Sequence, residues 1–370
     1  MGPLDVTKIC MMAAWVVGWI LLFWAPRLRR KNAALDLGDE AITIVIPARN
    51  EASSLPNLLD SLADQRPDGA RVIVVNDGSE DDTADIARRY DFVEVIDADP
   101  LRDGWIGKTW ACHTGAALAK PGTLIFIDAD VKVYGDALTR AVAEQRERGG
   151  LLTIWPRHVV KRPYEYFSAL FNVITMMGVG AGSLFRPRTV RGGFGPLMVM
   201  STADYEHVGG HESVKGCVVD DFALARRFTD TDRPVRNLAG GRDVSFRMYP
   251  DGFGSLLEGW TKNMSAGAVS VSLWRTIAIG FWLTFAVGSI KWGGAVPRTF
   301  PTTMVVLYVL QILIMIRQLG NFGLLTALLY PFHVLVVVIV LLRSIYRSHI
   351  RRSVVWRGRE IPMGGVSGTK

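Results

Sequence analysis

Cysteine is scarce: Cys10, Cys112 and Cys217 are the only three in 370 residues, and they form no Cys-x-x-Cys pair. Their wide spacing excludes a zinc ribbon, a dithiol redox motif and a disulfide framework. Charge is thin as well, at 21% of residues against 49% hydrophobic, and the mean hydropathy is +0.21. Such a composition excludes a disordered chain and argues against an ordinary soluble domain. The net charge of +7 does not point to nucleic acid. Its surplus sits in Arg27, Arg29, Arg30 and Lys31, and in Arg343, Arg347, Arg351, Arg352, Arg357 and Arg359, each cluster directly after an apolar run. Basic residues placed there fix membrane orientation and meet anionic headgroups.

The apolar residues are bunched. Residues 9–25 form an uncharged run with Trp15, Trp19 and Trp24, closed by Pro26, and no small-residue cleavage pattern follows. This reads as an N-terminal membrane anchor over residues 1–26 rather than a cleaved signal. Four basic residues after the run, against Lys8 before it, put the next domain in the cytoplasm of a multi-pass cell-membrane protein. A C-terminal membrane region over 263–342 holds runs at 274–292, 301–316 and 324–342, each of about the length that crosses a bilayer. Three full crossings would leave the arginine-rich tail, 343–370, outside. One run is therefore expected to fall short, the one ending at Arg317 being the first suspect. A fifth run, 166–185, is read as not spanning, because a crossing there would separate the acidic motifs on either side of it. It would lie in the interface over 164–185 or wall a hydrophobic cavity, a buried core helix being the plainer alternative.

Between the apolar ends, over 38–262, β-rich runs at 42–46, 72–75, 93–96 and 124–127 alternate with helical stretches at 53–65, 81–90 and 108–119. That alternation predicts βαβ units, and strands apolar on both faces suit a mostly parallel, Rossmann-like α/β sheet. Ligands of such sheets sit beyond the carboxyl ends of the strands. There the sequence has Pro-Ala-Arg-Asn-Glu (47–51), Asn-Asp-Gly-Ser (76–79) and Asp-Ala-Asp (128–130). One carboxylate after a strand is usually a cap or turn former. Several converging on one edge would repel one another, and a divalent cation with a nucleotide relieves that. The Asp128/Asp130 pair suits shared capture of a metal and a diphosphate. Asp220 and Asp221 open a helical stretch, after a glycine-rich segment at 208–211 read as flexible. They are either caps or the general base that deprotonates an incoming hydroxyl. Lys108, in a glycine-flanked loop, is either a phosphate contact or a solvated lysine.

In their order and spacing, Ile-Pro-Ala-Arg-Asn-Glu (46–51), Asn-Asp-Gly-Ser (76–79), Asp-Ala-Asp (128–130) and Val-Asp-Asp-Phe-Ala-Leu (219–224) resemble the inverting family 2 glycosyltransferases of the GT-A fold. Further segments at 107–112, 161–169, 246–249, 258–262 and 356–359 resemble the membrane-anchored branch that glycosylates lipids, of the carotenoid glycosyltransferase type. The resemblance implies a UDP-sugar donor contacted by Pro47, Arg49, Glu51, Asp77, Lys108, Asp128 and Trp260. It implies Mg²⁺ or Mn²⁺ on Asp130 with Asp128, and a base at Asp221 or Asp220, the wider family favouring Asp221. Polymer-forming members carry Q/R-x-x-R-W, of which residues 256–260 keep only the tryptophan, so polymer synthesis is disfavoured. The expected activity is metal-dependent, inverting hexose transfer to a membrane lipid, a carotenoid, terpenoid or glycerolipid. The alternatives are transfer to polyprenyl phosphate and an inactive membrane scaffold. The expected partners are a nucleotide sugar, a lipid acceptor and the bilayer, and no nucleic acid.

Overall fold

A computed structural model describes residues 3–30, 37–185, 190, 192–291, 299–347, 353–356 and 359–362. Lys31, Arg351, Arg352 and Arg357 of the two basic clusters lie outside these residues. In chain order the elements are α1 (Pro3–Leu21), β1 (Ala41–Ala48), α2 (Leu55–Gln65), β2 (Arg71–Asn76), α3 (Thr83–Ala87), β3 (Val93–Asp97), α4 (Gly107–Ala116), β4 (Gly122–Ile127), β5 (Val131–Val133), α5 (Ala137–Arg148), β6 (Leu151–Trp155) and β7 (Arg157–His158). There follow α6 (Ser168–Val179), β8 (Leu197–Ser201), α7 (Thr202–His207), α8 (Asp220–Asp230), β9 (Val235–Ala239), β10 (Val244–Phe246), α9 (Phe253–Ser270), α10 (Leu273–Lys291), α11 (Thr299–Leu319), α12 (Leu324–Leu328) and α13 (Tyr330–Tyr346). Short 3-10 turns lie at Pro163–Phe167 and His211–Val214.

The chain forms two compact units. The sheet unit takes Arg27–Arg157, Val190–Met248 and Ile345–Lys370; the helical unit takes Met1–Pro26, His158–Thr189 and Tyr249–Ser344. Residues 158–189 and 249–262, expected inside the catalytic domain, thus cluster with the apolar helices.

The sheet unit is built on seven strands in the order β3-β2-β1-β4-β8-β6-β9. Strands β3, β2, β1 and β4 are mutually parallel, so Ala48, Asn76, Asp97 and Ile127 end on one edge. The expected βαβ half is present, and its strands are buried on both faces: Ile44, Val45, Ile46 and all of Val72 to Val75 have no exposed surface. Helix α2 follows from Leu55, Leu58, Leu59 and Leu62 at helical spacing on its buried side, with Pro56 in its first turn. Helix α3 is only five residues long, shorter than the stretch read at 81–90. Asp81 accepts the N–H groups of Ala52 and Thr83, and such local bonds compete with the helix ladder. The second half departs from the parallel pattern: β8 runs antiparallel between β4 and β6. That reversal brings the loop before Leu197 to the same edge at which β4 ends.

In the helical unit, α11 is an unbroken 21-residue helix containing the run that ends at Arg317. The interrupted run is instead 324–342, which breaks at Leu329 into α12 and α13. Pro331 lacks the N–H that a continuous helix needs there, and the Tyr330 hydroxyl donates to the Ala286 carbonyl at 2.7 Å, fixing the restart. Leu273–Ile290 and Thr299–Leu319 are long and apolar enough to cross a membrane, by length and composition; Val6–Leu21 and Tyr330–Tyr346 are shorter apolar helices. The run 166–185 is largely buried up to Val179, while Leu184 and Phe185 are exposed. It contains the 12-residue α6, which packs on α10 and α11 with Phe171, Met176 and Met177 fully buried. This burial fits the core-helix alternative over α6: Arg275 Nη1 donates to the Met177 carbonyl at 2.9 Å and holds the helix end inside.

Candidate active site

Four segments meet at the carboxyl edge of the parallel strands. After β1, Arg49 Nη1 donates to the carbonyls of Asp77 and Gly78 at 2.6 and 3.1 Å, and its Nη2 lies 3.6 Å from Glu80. Asn50, at a positive φ of 52°, accepts the Glu80 N–H on its side chain. Asp77 is buried, and its N–H extends the ladder to the Ala48 carbonyl at 2.9 Å. The Glu51 N–H donates to the Thr83 hydroxyl. The segment with Pro47, Arg49 and Glu51 is therefore tied to the segment with Asp77.

Lys108 and Asp128 form the centre. Lys108, in the first turn of α4, places Nζ 2.7 Å from Asp128 Oδ1, just past β4. It is a half-buried ion-pair partner. Burial alone would lower its pKa, but the charges of Asp128, Asp220 and Asp221 prevail and raise it well above its ordinary value. It stays a cation in the middle of three carboxylates. The start of α4 is locked to the loop that leads into the acid pair: the Ile106 N–H donates to the Lys215 carbonyl at 3.0 Å, and the Thr109 hydroxyl lies 2.9 Å from the same oxygen.

Asp220 and Asp221 open α8. Asp221 Oδ2 accepts the Gly195 N–H at 2.7 Å and Oδ1 accepts the Phe222 N–H at 2.9 Å, so the carboxylate is fixed at both oxygens. Gly195 lies in the loop before the antiparallel β8, and a Cβ there would stand 2.9 Å from Asp221 Oδ2. Only glycine permits that approach. Burial, and then the charge of Asp220, raise the Asp221 pKa to about 7, against the pull of Lys108 and the two N–H donors. A carboxyl so poised suits a general base at neutral pH. Beneath the pair, Cys112 is fully buried, and burial with the Asp220 charge pushes its thiol pKa well up, so it is no nucleophile.

Asp130 is half-buried in the turn between β4 and β5. Among the described residues no group of three or more His, Cys, Asp or Glu side chains comes together as a metal cage. The Asp128/Asp130 turn suits a hard cation that takes the rest of its shell from phosphate and water, not a transition-metal cage.

Trp260 is a core residue. It belongs to the helical unit, has no exposed surface, stacks on Phe171 at 4.7 Å and donates its indole N–H to Ser168 Oγ at 3.1 Å. Tyr249 packs edge-on against it at 5.9 Å, and the Tyr164 hydroxyl lies 2.7 Å from the Pro250 carbonyl. Ser168, Phe171, Tyr249 and Trp260 thus form a packed aromatic knot within the helical unit. Sequence reasoning also missed Gly195, Tyr205 and His211. The Gly-Gly-His signal at 209–211 was visible but read as flexible. Instead His211 is fully buried, with its backbone N–H bonded to the Tyr205 hydroxyl oxygen at 3.0 Å.

With this geometry in hand, comparison with known proteins assigns the chain. The model for "Glycosyl transferase family 2" matches residues 43–209. The 4,4'-diaponeurosporenoate glycosyltransferase of Staphylococcus aureus strain N315 is 35% identical over 350 residues, covering 92% of this chain and 93% of the relative. The protein of the same name from strain USA300 matches to the same extent. Among solved structures, the mannosyltransferase PcManGT from Pyrobaculum calidifontis, in complex with GDP-Man and Mn²⁺, aligns with a TM-score of 0.57 at 17% identity, covering 94% of this chain and 99% of that one. At that identity the likeness speaks for the fold alone, which is of the GT-A type. A mostly parallel sheet with its acidic edge, and a full-length relative at 35% identity, lead to one assignment: the chain belongs to the family 2 glycosyltransferases.

Proposed function

We propose that this glycosyltransferase moves a hexose from a UDP-sugar to an apolar membrane acceptor of the carotenoid or terpenoid kind, with inversion at the anomeric carbon. The observation that carries the reading is the cluster of Lys108, Asp128, Asp220 and Asp221 at the strand edge, in a chain 35% identical to a glycosyltransferase whose name gives a carotenoid acid as acceptor. Apolar surface supports a lipid acceptor: Leu273, Ile277, Leu325 and Leu342 of the helical unit are among its most exposed side chains, as helices facing hydrocarbon would be. Leu273–Ile290 and Thr299–Leu319 are the helices proposed to cross the bilayer.

In the proposed step Asp221 takes the proton of an acceptor hydroxyl. The freed oxygen bonds to the anomeric carbon from the face opposite the diphosphate, and the bond from that carbon to the diphosphate oxygen breaks. The nucleoside diphosphate leaves with the bonding electrons. Lys108 holds a fixed positive charge where that negative charge grows, and the segment with Pro47, Arg49, Glu51 and Asp77 holds the nucleoside. Asp130 with Asp128 would hold Mg²⁺ or Mn²⁺, whose contribution when bound is to offset diphosphate charge. An acceptor that is itself a carboxylate arrives ionised and needs only orientation. In-line attack leaves no covalent intermediate on the protein.

The test incubates detergent-purified protein with Mn²⁺, a panel of radiolabelled UDP-sugars and host lipid extract, beside an Asp221→Asn control. Label in a neutral or pigmented terpenoid lipid, absent from the control and with an inverted anomeric centre by NMR, supports the reading. Label only in an acid-labile lipid phosphate would replace it with carrier-lipid synthesis. UDP binding without transfer from any sugar would leave a scaffold.

A further inference from the structure

The buried groups behind the acid pair form a chain that the transfer step above does not use. His211 has no exposed surface and sits in a turn packed against both α4 and α8, the helices that carry Lys108 and the aspartates. Its Nδ1 lies 3.0 Å from the Tyr205 hydroxyl. That hydroxyl oxygen already accepts the His211 backbone N–H at 3.0 Å. Tyr205 therefore has its own proton to give, and Nδ1 is the acceptor in reach. With Nδ1 accepting, a neutral imidazole carries its proton on Nε2. This nitrogen is buried without a hydrogen-bond partner, and the nearest carboxylate oxygen recorded for it is Asp220 Oδ2 at 3.7 Å. The distance is a few tenths of an ångström beyond a hydrogen bond, and contacts of this kind tighten once substrate is bound. Phe126, at 4.8 Å and edge-on, fixes the ring, and Tyr205 packs on both. Gly210, at φ 49° with the Tyr205 ring 2.6 Å from where a Cβ would be, lets the turn come this close.

We propose that His211 is a positioning residue of the transfer reaction: Tyr205 sets its tautomer, and its Nε2–H holds Asp220 in register beside Asp221. The inference rests on the transfer chemistry proposed above. His211 touches neither donor nor acceptor. It acts through Asp220, whose place next to Asp221 decides how that carboxylate meets the acceptor proton. The charged and titratable groups that interact with this chain are Lys108 and Cys112 from α4 and Cys217, all with Asp220; Asp221, next to it on α8; and His113 of α4, with His211.

Two measurements test it. In protein labelled with ¹⁵N-histidine, the His211 ring is expected as the Nε2–H tautomer, and Tyr205→Phe is expected to mix the two tautomers; an Nδ1–H ring in the wild-type protein overturns the proposal. In kinetics, His211→Leu keeps bulk but has no donor, and is expected to lower kcat about 100-fold while the donor KM and UDP affinity stay within about twofold. His211→Gln returns an N–H at the same reach and should recover at least about tenfold of that loss. A His211→Leu enzyme within twofold of wild-type kcat sinks the idea. So does an equal fall in both variants accompanied by lost UDP affinity and a lowered Tm, which marks a packing role only. A wild-type chain that transfers no sugar contradicts the glycolipid reading alone, and the tautomer measurement still decides this one.

Discussion

The two units keep their buried polar groups in different chemical currencies. In the sheet unit several of them are ionic. Arg140 meets Asp243 at 2.7 Å and Asp136 at 2.6 Å, Arg236 meets Glu144 at 2.7 Å, and Lys108 meets Asp128 at 2.7 Å. In the helical unit the interior bonds are largely between neutral groups. The Trp282 indole donates to Gln311 Oε1 at 2.9 Å, Gln311 Nε2 donates to the Trp15 carbonyl at 2.7 Å, and the Ala25 N–H donates to Gln318 at 2.9 Å. The outsides are reversed as well. Leu325 is 68% exposed and Leu342 62%, whereas Leu101, at 40%, is among the most exposed leucines of the sheet unit. Neutral interior bonds under a greasy surface suit a solvent of hydrocarbon, where an unpaired charge is expensive and an apolar exterior is not. Ionic pairs suit a domain that holds an anionic substrate in water.

The comparison can be broken in several ways. The largest effect is expected at the ionic edge: Asp221→Asn should lower transfer about 10²- to 10⁴-fold while UDP affinity is kept, read by radiolabel transfer and calorimetry. Next come paired stability tests. Glu144→Ala strands the Arg236 guanidinium and should destabilise the sheet unit by about 3–5 kcal/mol, whereas Gln311→Leu leaves the Trp282 indole N–H unpaired and should cost about 1–3 kcal/mol. Denaturation in detergent with both variants checks this, and a larger loss from Gln311→Leu would undo the ionic-versus-neutral contrast.

A third effect is on pH. Asp221 must be ionised to accept a proton, and its pKa is raised to about 7 by burial and then by the Asp220 charge. For a hydroxyl acceptor, kcat/KM should therefore fall as pH drops below about 7. Asp220→Asn removes the like charge and should move that limb to lower pH. A limb that stays put in this variant would show that Asp220 does not tune its neighbour. Smallest is Arg226→Ala, which breaks an exposed pair with Asp230 at 3.6 Å and should change stability by less than about 0.5 kcal/mol in thermal melts.

Legibility followed the range of the interactions. The strands at 42–46, 72–75 and 124–127 could be read because both faces are buried and every residue is apolar, a local signal. The acids past their ends could be read for the same reason. Strand β8 could not, because Leu197–Ser201 is as apolar as its neighbours and nothing local says that it runs antiparallel. A motif fixes the place of Trp260 in the chain and not its surroundings, and Ser168 and Phe171, about ninety residues away, claim its ring. The run 166–185 looked like an interfacial segment because composition does not distinguish lipid from protein as the apolar neighbour.

By itself the sequence determined the α/β alternation, the acidic edge and the family, since these rest on periodicity and on motifs within single segments. Only the tertiary structure decided that Lys108 is a paired cation, that the Gly195 N–H fixes Asp221, and that His211 is buried behind Asp220. Each of those depends on a contact between residues from nine to more than a hundred positions apart. Burial at such contacts sets proton affinity and geometry, and no local pattern in the chain encodes it.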